Sequence, residues 1–125
     1  MTPTILIIDD DAVLRAIAMA KLAEEGFLVI EAEDSATGIQ LVLDESPDLV
    51  LLDVVLPDTD GYQICQYLRS LPKAQHLPII MLTGLDDTES IVQAYDHGAT
   101  DFFSKPINWK LLSYRIRYIL RARRT

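Results

Sequence analysis

The sequence contains one cysteine, Cys65, in 125 residues. That excludes a disulfide framework and a thiolate-built metal site. Cys65 stands among Ile64, Tyr67 and Leu68, which suits a small buried hydrophobe. Aromatic residues are only 7% of the chain, so its core must be aliphatic. No apolar run approaches the length of a membrane span, and the N-terminus lacks a basic segment followed by an apolar one. The expectation is a cytoplasmic protein with no membrane contact. Basic residues are scarce in 1–104, with 4 against 19 acidic ones, and residues 105–125 carry 7 basic residues and no acidic one. An acidic body repels nucleic acid, so direct nucleic-acid binding by this chain is not expected. The basic tail reads as a solvated helix face.

What remains is enough for one domain with a real core: 50% of the residues are hydrophobic and 24% charged. The stretch Asp48-Leu49-Val50-Leu51-Leu52-Asp53 is a short apolar run closed by a carboxylate, the pattern of a strand buried on both faces. Thr4–Ile8, Phe27–Ile30, Pro78–Leu82 and Asp101–Ser104 read as further strands. Between them lie helical stretches. The first runs from Ala12 to Glu25, behind the acids Asp9, Asp10 and Asp11, with Val13, Leu14, Ile17, Lys21 and Leu22 at helical spacing and Ala18 between them. Gly26 follows as its stop. The second starts at Asp34 or Ser35, carries Ile39, Leu41, Val42 and Leu43, and ends near Ser46-Pro47. The third is Gly61 to Leu71, with Ile64, Tyr67, Leu68 and Leu71 inward. Asp86, Asp87 or Thr88 caps the fourth, which runs to His97 before Gly98. Asn108 caps the last, which continues toward Arg124 with Leu111, Leu112, Ile116, Ile119 and Leu120 as its apolar stripe. Strand and helix alternate five times without a long linker, repeat or low-complexity tract. That pattern means α/β architecture: parallel βαβ units with right-handed crossovers and helices on both faces.

Ligands of open parallel sheets sit outside the carboxyl ends of the strands. That edge receives Asp9 and Asp10 from the first strand, Asp53 from the third, Thr83 from the fourth and Lys105 from the fifth. Three close carboxylates repel, and at least one should resist ionisation unless a cation sits among them. Oxygen ligands without thiolates or paired histidines suit Mg²⁺. A lysine opposite them, with a hydroxyl nearby, suits a phosphoryl group. Each piece has a plainer reading: the acids as helix caps, Thr83-Gly84 as a turn, Lys105 as a surface charge paired with Asp101. Their arrival at one edge favours the site.

The motifs Ile7-Ile8-Asp9-Asp10-Asp11, Leu51-Leu52-Asp53, Leu56-Pro57 with Asp60-Gly61, Met81-Leu82-Thr83-Gly84, Gly98-Ala99 with Asp101-Phe102, and Lys105-Pro106 resemble, in this order, the receiver domain of two-component response regulators. The likeness runs from Ile5 to about Arg121. It implies a flavodoxin-like sheet in the order 2-1-3-4-5, with the whole of 1–125 as one receiver domain. It also implies that Asp53 accepts a phosphoryl group from a histidine kinase or phosphotransfer protein. Asp10, Asp53 and the backbone carbonyl of Val55 would then bind Mg²⁺, Asp9 acting largely through a water. Thr83 and Lys105 would meet the phosphoryl group, and Phe102 would take the position of the switch aromatic. Phosphorylation would alter the face made by the fourth helix, fifth strand and last helix. Val55 and Leu85, both apolar, would flank the phosphoryl group and leave it slow to hydrolyse. The rival expectation is a receiver-like protein-binding module without phosphate chemistry. Such modules usually lack the acid pair, the acceptor or the lysine, all present here. Flavin binding fits less well, because Asp9, Asp10 and Asp11 would repel a flavin phosphate.

In the last helix, Trp109, Tyr114 and Tyr118 are expected outside the apolar stripe, among Arg115, Arg117, Arg121, Arg123 and Arg124, as an interface for pairing two chains. No capping residue closes this helix (about 108–124), so it is expected to lead into a linker or output domain. Lys105-Pro106-Ile107-Asn108-Trp109 with Arg115-Ile116-Arg117-Tyr118 is also similar to receivers tethered to diguanylate cyclase or cyclic-di-GMP phosphodiesterase domains. Such an output domain could be an enzyme; the receiver itself would catalyse only its own phosphorylation and dephosphorylation.

Overall fold

The structure is a computed structural model that describes residues 2–84 and 87–123. Leu85, Asp86 and Arg124, and the expectations placed on them, lie outside the described residues. Five strands alternate with five α-helices: β1 Thr4–Ile8, α1 Ala12–Glu24, β2 Leu28–Ala32, α2 Ser35–Glu45, β3 Leu49–Asp53, α3 Gly61–Ser70, β4 Ile79–Thr83, α4 Thr88–Asp96, β5 Asp101–Ser104 and α5 Trp109–Arg123. A short 3₁₀ turn, Pro72–Ala74, not foreseen from the sequence, links α3 to β4. The strands are all parallel in the order β2-β1-β3-β4-β5.

The central strands are apolar throughout because both their faces are covered. Leu6, Ile8, Val50, Leu52, Ile79 and Met81 pack with Val42 of α2, with Ile64, Cys65 and Leu68 of α3, and with Ala94 of α4. The alternate residues Ile5, Ile7, Leu49, Leu51, Ile80 and Leu82 pack with Ala18 and Leu22 of α1 and with Leu112 and Ile116 of α5. Period-two alternation thus sends α1 and α5 to one face and α2, α3 and α4 to the other. Cys65 is fully buried, as its neighbours suggested.

Three helices turn differently from the sequence expectation. In α1 the buried line is Ala18 and Leu22, with Leu14 partly covered, while Val13 and Ile17 are exposed. Those two form an adjacent apolar stripe about 100° away, and the small Ala18 lets the helix back onto the sheet on its own line. In α3, Ile64, Cys65 and Leu68 face inward and Tyr67 is exposed. In α5, Leu112, Ser113 and Ile116 are buried, Leu111 is exposed, and Trp109 packs against the core, contrary to its expected exposure. Strand β2 begins at Leu28, one residue later than read, and runs on to Ala32.

Side chains set the helix starts. Asp11 accepts from the Val13 and Leu14 N–H groups, Asp34 from Thr37, Asp60 from Gln63, Asp87 from Ser90 and Asn108 from Leu111. His97 ends α4 with Nδ1 2.7 Å from the Gln93 carbonyl and its ring 5.4 Å from that of Tyr62, which matches a helix-terminal role better than a ligand. Arg69 fastens the far end of this layer, donating to the carbonyls of Gly98 at 2.9 Å, Ala74 at 3.0 Å and Leu77 at 2.5 Å.

Candidate functional site

The parallel arrangement places the ends of β1, β3, β4 and β5 along one edge, and five of the sequence's candidates meet there. Asp9 directly follows β1 and is fully buried. Its N–H donates to the Ala32 carbonyl at 3.0 Å, and its Oδ1 accepts from the Asp11 N–H at 2.9 Å. Asp10, next in the chain, is exposed. Asp53 ends β3, opposite Leu82, and is 5% exposed. Carboxylate oxygens of Asp9, Asp10 and Asp53 lie within 4.8 Å of one another.

Lys105 bridges this cluster. Its Nζ lies 3.0 Å from Oδ2 of Asp9 and 3.3 Å from Oδ2 of Asp53. Backbone pairing explains its position: the Lys105 N–H donates to the Thr83 carbonyl at 2.8 Å, so the end of β4 holds the start of the lysine. The alternative pairing of Lys105 with Asp101 does not occur; Asp101 is taken by Arg115 at 2.5 Å. Thr83, the last residue of β4, is 1% exposed. Phe102 lies opposite Met81 in the β4–β5 register, partly buried against the α2–α3–α4 side of the core. Val55 follows Asp53 by two residues; its N–H donates to Asp53 Oδ1 at 3.3 Å, and its side chain is exposed.

The electrostatics follow from this crowding. Burial pushes the Asp53 carboxyl above the ordinary aspartate range, the Asp9 charge adds to the push, and Lys105 and the Val55 N–H oppose it. Burial alone would lower Lys105, but hydrogen bonds and charges from Asp9 and Asp53 overrule it and hold the ammonium above its usual value. The site therefore keeps a permanent cation against a carboxylate that resists ionising.

The donor set also fits a hard divalent cation. It offers oxygen only, gathers three carboxylates, and leaves Asp10 open to solvent while Asp53 lacks full charge compensation from the protein.

Two residues at this edge escaped the sequence reading. Arg15 of α1 donates to the Asp9 carbonyl at 2.7 Å and pairs with Glu31 of β2 at 2.7 Å. Asp58 reaches the N-terminus of α2. The Arg15–Glu31 and Asp58–Ser35 contacts have no local sequence signal, since each joins segments far apart in the chain.

Residues 5–117 match the family model described as the response regulator receiver domain. The chain belongs to this family. Over 119 residues the receiver is 37% identical to the DNA-binding dual master transcriptional regulator RpaA of Synechocystis sp., covering 95% of this chain and 49% of that protein. Over 121 residues it is 35% identical to the response regulator PleD of Caulobacter vibrioides, covering 97% of this chain and 27% of that one. A crystal structure of a two-component response regulator from Clostridium difficile superimposes with a TM-score of 0.93 at 28% identity, over 99% of this chain and 100% of that one. The receiver thus spans half or less of the length of these curated relatives. Among the described residues no helix is long and apolar enough to cross a membrane.

Proposed function

We propose that Asp53 is the phosphoacceptor of this receiver, and that its donor is a phosphohistidine on a histidine kinase or phosphotransfer protein. The observation that carries this is the Lys105 ammonium bridging Asp9 and Asp53 beside the exposed carboxylate of Asp10. In the step, the P–N bond of the donor breaks as a bond forms between phosphorus and an Asp53 carboxylate oxygen, and imidazole leaves. Little else is asked of the protein beyond position and charge. Lys105 favours the ionised, attacking form of Asp53 and afterwards pairs with a phosphoryl oxygen. Thr83 donates its hydroxyl to another.

Asp10 and Asp53, with the Val55 carbonyl, would hold Mg²⁺, and Asp9 would act through a water. Bound there, the ion would spread the charge of the carboxylates and phosphoryl oxygens. Incubation with acetyl phosphate and Mg²⁺ tests the reading: intact mass rises by one phosphoryl group, and no rise refutes it. Asp10→Ala should abolish the Mg²⁺-dependent increase in Tm that mass action gives the parent, while the metal-free variant melts at or slightly above the parent. A parent-like Mg²⁺ response would remove Asp10 from the ligand set.

The new charge is read by motion. Thr83 moves to meet it, Phe102 turns inward, and the face of α4, β5 and α5 changes its packing, a population shift between two states. Exposed Tyr95, Tyr114 and Tyr118 lie on α4 and α5 near the Arg115–Asp101 pair, and they support pairing of two chains through this face. Light scattering on the beryllofluoride-bound sample reads that pairing, and a monomer there excludes it. The lengths of the relatives support a receiver acting within a longer regulator, whose output domain could be an enzyme. Val55 offers no polar group to orient a hydrolytic water, so the phosphoryl group should decay slowly. Val55→Asn should change the decay rate severalfold, measured as loss of phosphorylated mass over time; equal decay would deny Val55 this role.

A further inference from the structure

The loop between β3 and α3 carries Val55 past the acceptor, so its position matters to the site. Within it the Leu56 N–H meets the Thr59 carbonyl at 3.2 Å, Val55 bridges to Asp60, and the Gly61 N–H donates to the Val54 carbonyl at 2.6 Å. A further tie leaves the loop altogether. The Asp58 carboxylate accepts from the Ser35 N–H at 3.1 Å, the Ser35 hydroxyl at 2.5 Å and the Ala36 N–H at 3.3 Å. Helix α2 therefore has two acidic caps of different origin. Asp34, its own N-cap, accepts from Thr37 at 2.8 Å. Asp58 arrives from 22 to 23 residues away and takes up the N–H groups that Asp34 leaves.

These donors, led by the Ser35 hydroxyl, hold Asp58 below the ordinary aspartate range, so it stays charged and clamped near neutral pH. Ser35 is itself buried and cannot swing away to solvent. The clamp thus anchors the loop that bears Val55 to a helix packed on the sheet.

We propose that Asp58 is a positioning residue: through Ser35 and Ala36 it fixes the β3–α3 loop and so sets the affinity of the acidic site for Mg²⁺. This rests on the reading that Asp10, Asp53 and the Val55 carbonyl hold that ion. Partners that orient metal ligands from outside commonly change affinity by an order of magnitude or more.

The two caps supply a matched experiment. Calorimetric titration with MgCl₂ and metal-free melting are run on the parent, Asp58→Ala, Ser35→Ala and Asp34→Ala. Asp58→Ala should weaken Mg²⁺ binding about tenfold. Ser35→Ala should weaken it by less but in the same direction. Because that variant keeps the Asp58 charge, its loss measures position and not Coulomb attraction. Asp34→Ala should lower Tm about as much as Asp58→Ala, since each removes a cap of the same helix, yet bind Mg²⁺ like the parent. Parent-like affinity in both Asp58→Ala and Ser35→Ala overturns the proposal, as does equal weakening in Asp34→Ala. A parent that binds no Mg²⁺ overturns the metal reading beneath it, a result separable from the other two.

Discussion

Asp53→Asn will take up no phosphoryl group from acetyl phosphate and Mg²⁺, and in the metal-free state it will melt above the parent at neutral pH. The first half follows from chemistry. An amide is no nucleophile toward phosphorus, and of the three acids Asp53 alone lies within a strand, as the last residue of β3, while Asp9 and Asp10 follow β1. Continued uptake would move the acceptor to Asp9 or Asp10. The second half follows from the raised pKa of Asp53, caused by burial and then by Asp9. A carboxyl whose folded pKa exceeds its unfolded value, about 3.9, stabilises the fold below that value and loses the contribution as pH rises through the folded pKa. As pH rises through the raised pKa, the parent loses it. The substituted amide does not titrate, so the variant avoids the loss, and the gap in Tm should close as pH falls to about 4. Lys105 keeps Asp9 as a partner in the variant, so its charge is not stranded. Melting curves across that range check the sign, and a variant less stable than the parent at neutral pH would show that the Lys105–Asp53 attraction outweighs burial.

The same edge shows what sequence could and could not convey. Buried parallel strands must be apolar from end to end, so each strand announces itself as a run, and the polar residue that closes the run marks the edge. Asp9, Asp53 and Thr83 were readable for that reason, Lys105 because it follows the short fifth strand, and the structure brings them together. Helix faces were less readable because two adjacent stripes can both be apolar. Val13 with Ile17 lies beside the line of Leu14, Ala18 and Leu22, and only the sheet decides which turns inward. Trp109 and Leu111 exchanged their expected exposure for the same reason. Ties between distant segments, Asp58 to Ser35 and Arg15 to Glu31, leave no periodic trace at all.

Gly61→Ala will lower stability by about 3 kcal/mol and slow phosphorylation of Asp53. The sequence marks Gly61 as the start of α3 after a turn, but close approach is its real constraint. Its N–H donates to the Val54 carbonyl at 2.6 Å. A Cβ added there would collide with the Asp53 carbonyl oxygen and stand 2.9 Å from the Val54 Cα and 3.0 Å from the Asp53 carbonyl carbon. All three are backbone atoms at the end of a fully buried strand, so no rotamer change relieves the overlap. Either α3 retreats from the sheet, opening the packing of Ile64 and Leu68, or the Asp53 backbone shifts away from Lys105. The first cost appears as a lower urea midpoint with an unchanged m-value, the second as slower mass gain under native conditions. Gly84, also beside the site, provides the contrast: a Cβ there meets nothing within 4 Å. Gly84→Ala should therefore stay within about 0.5 kcal/mol of the parent. If Gly61→Ala were equally silent in both measurements, the close contact between α3 and the end of β3 would not be what fixes Asp53.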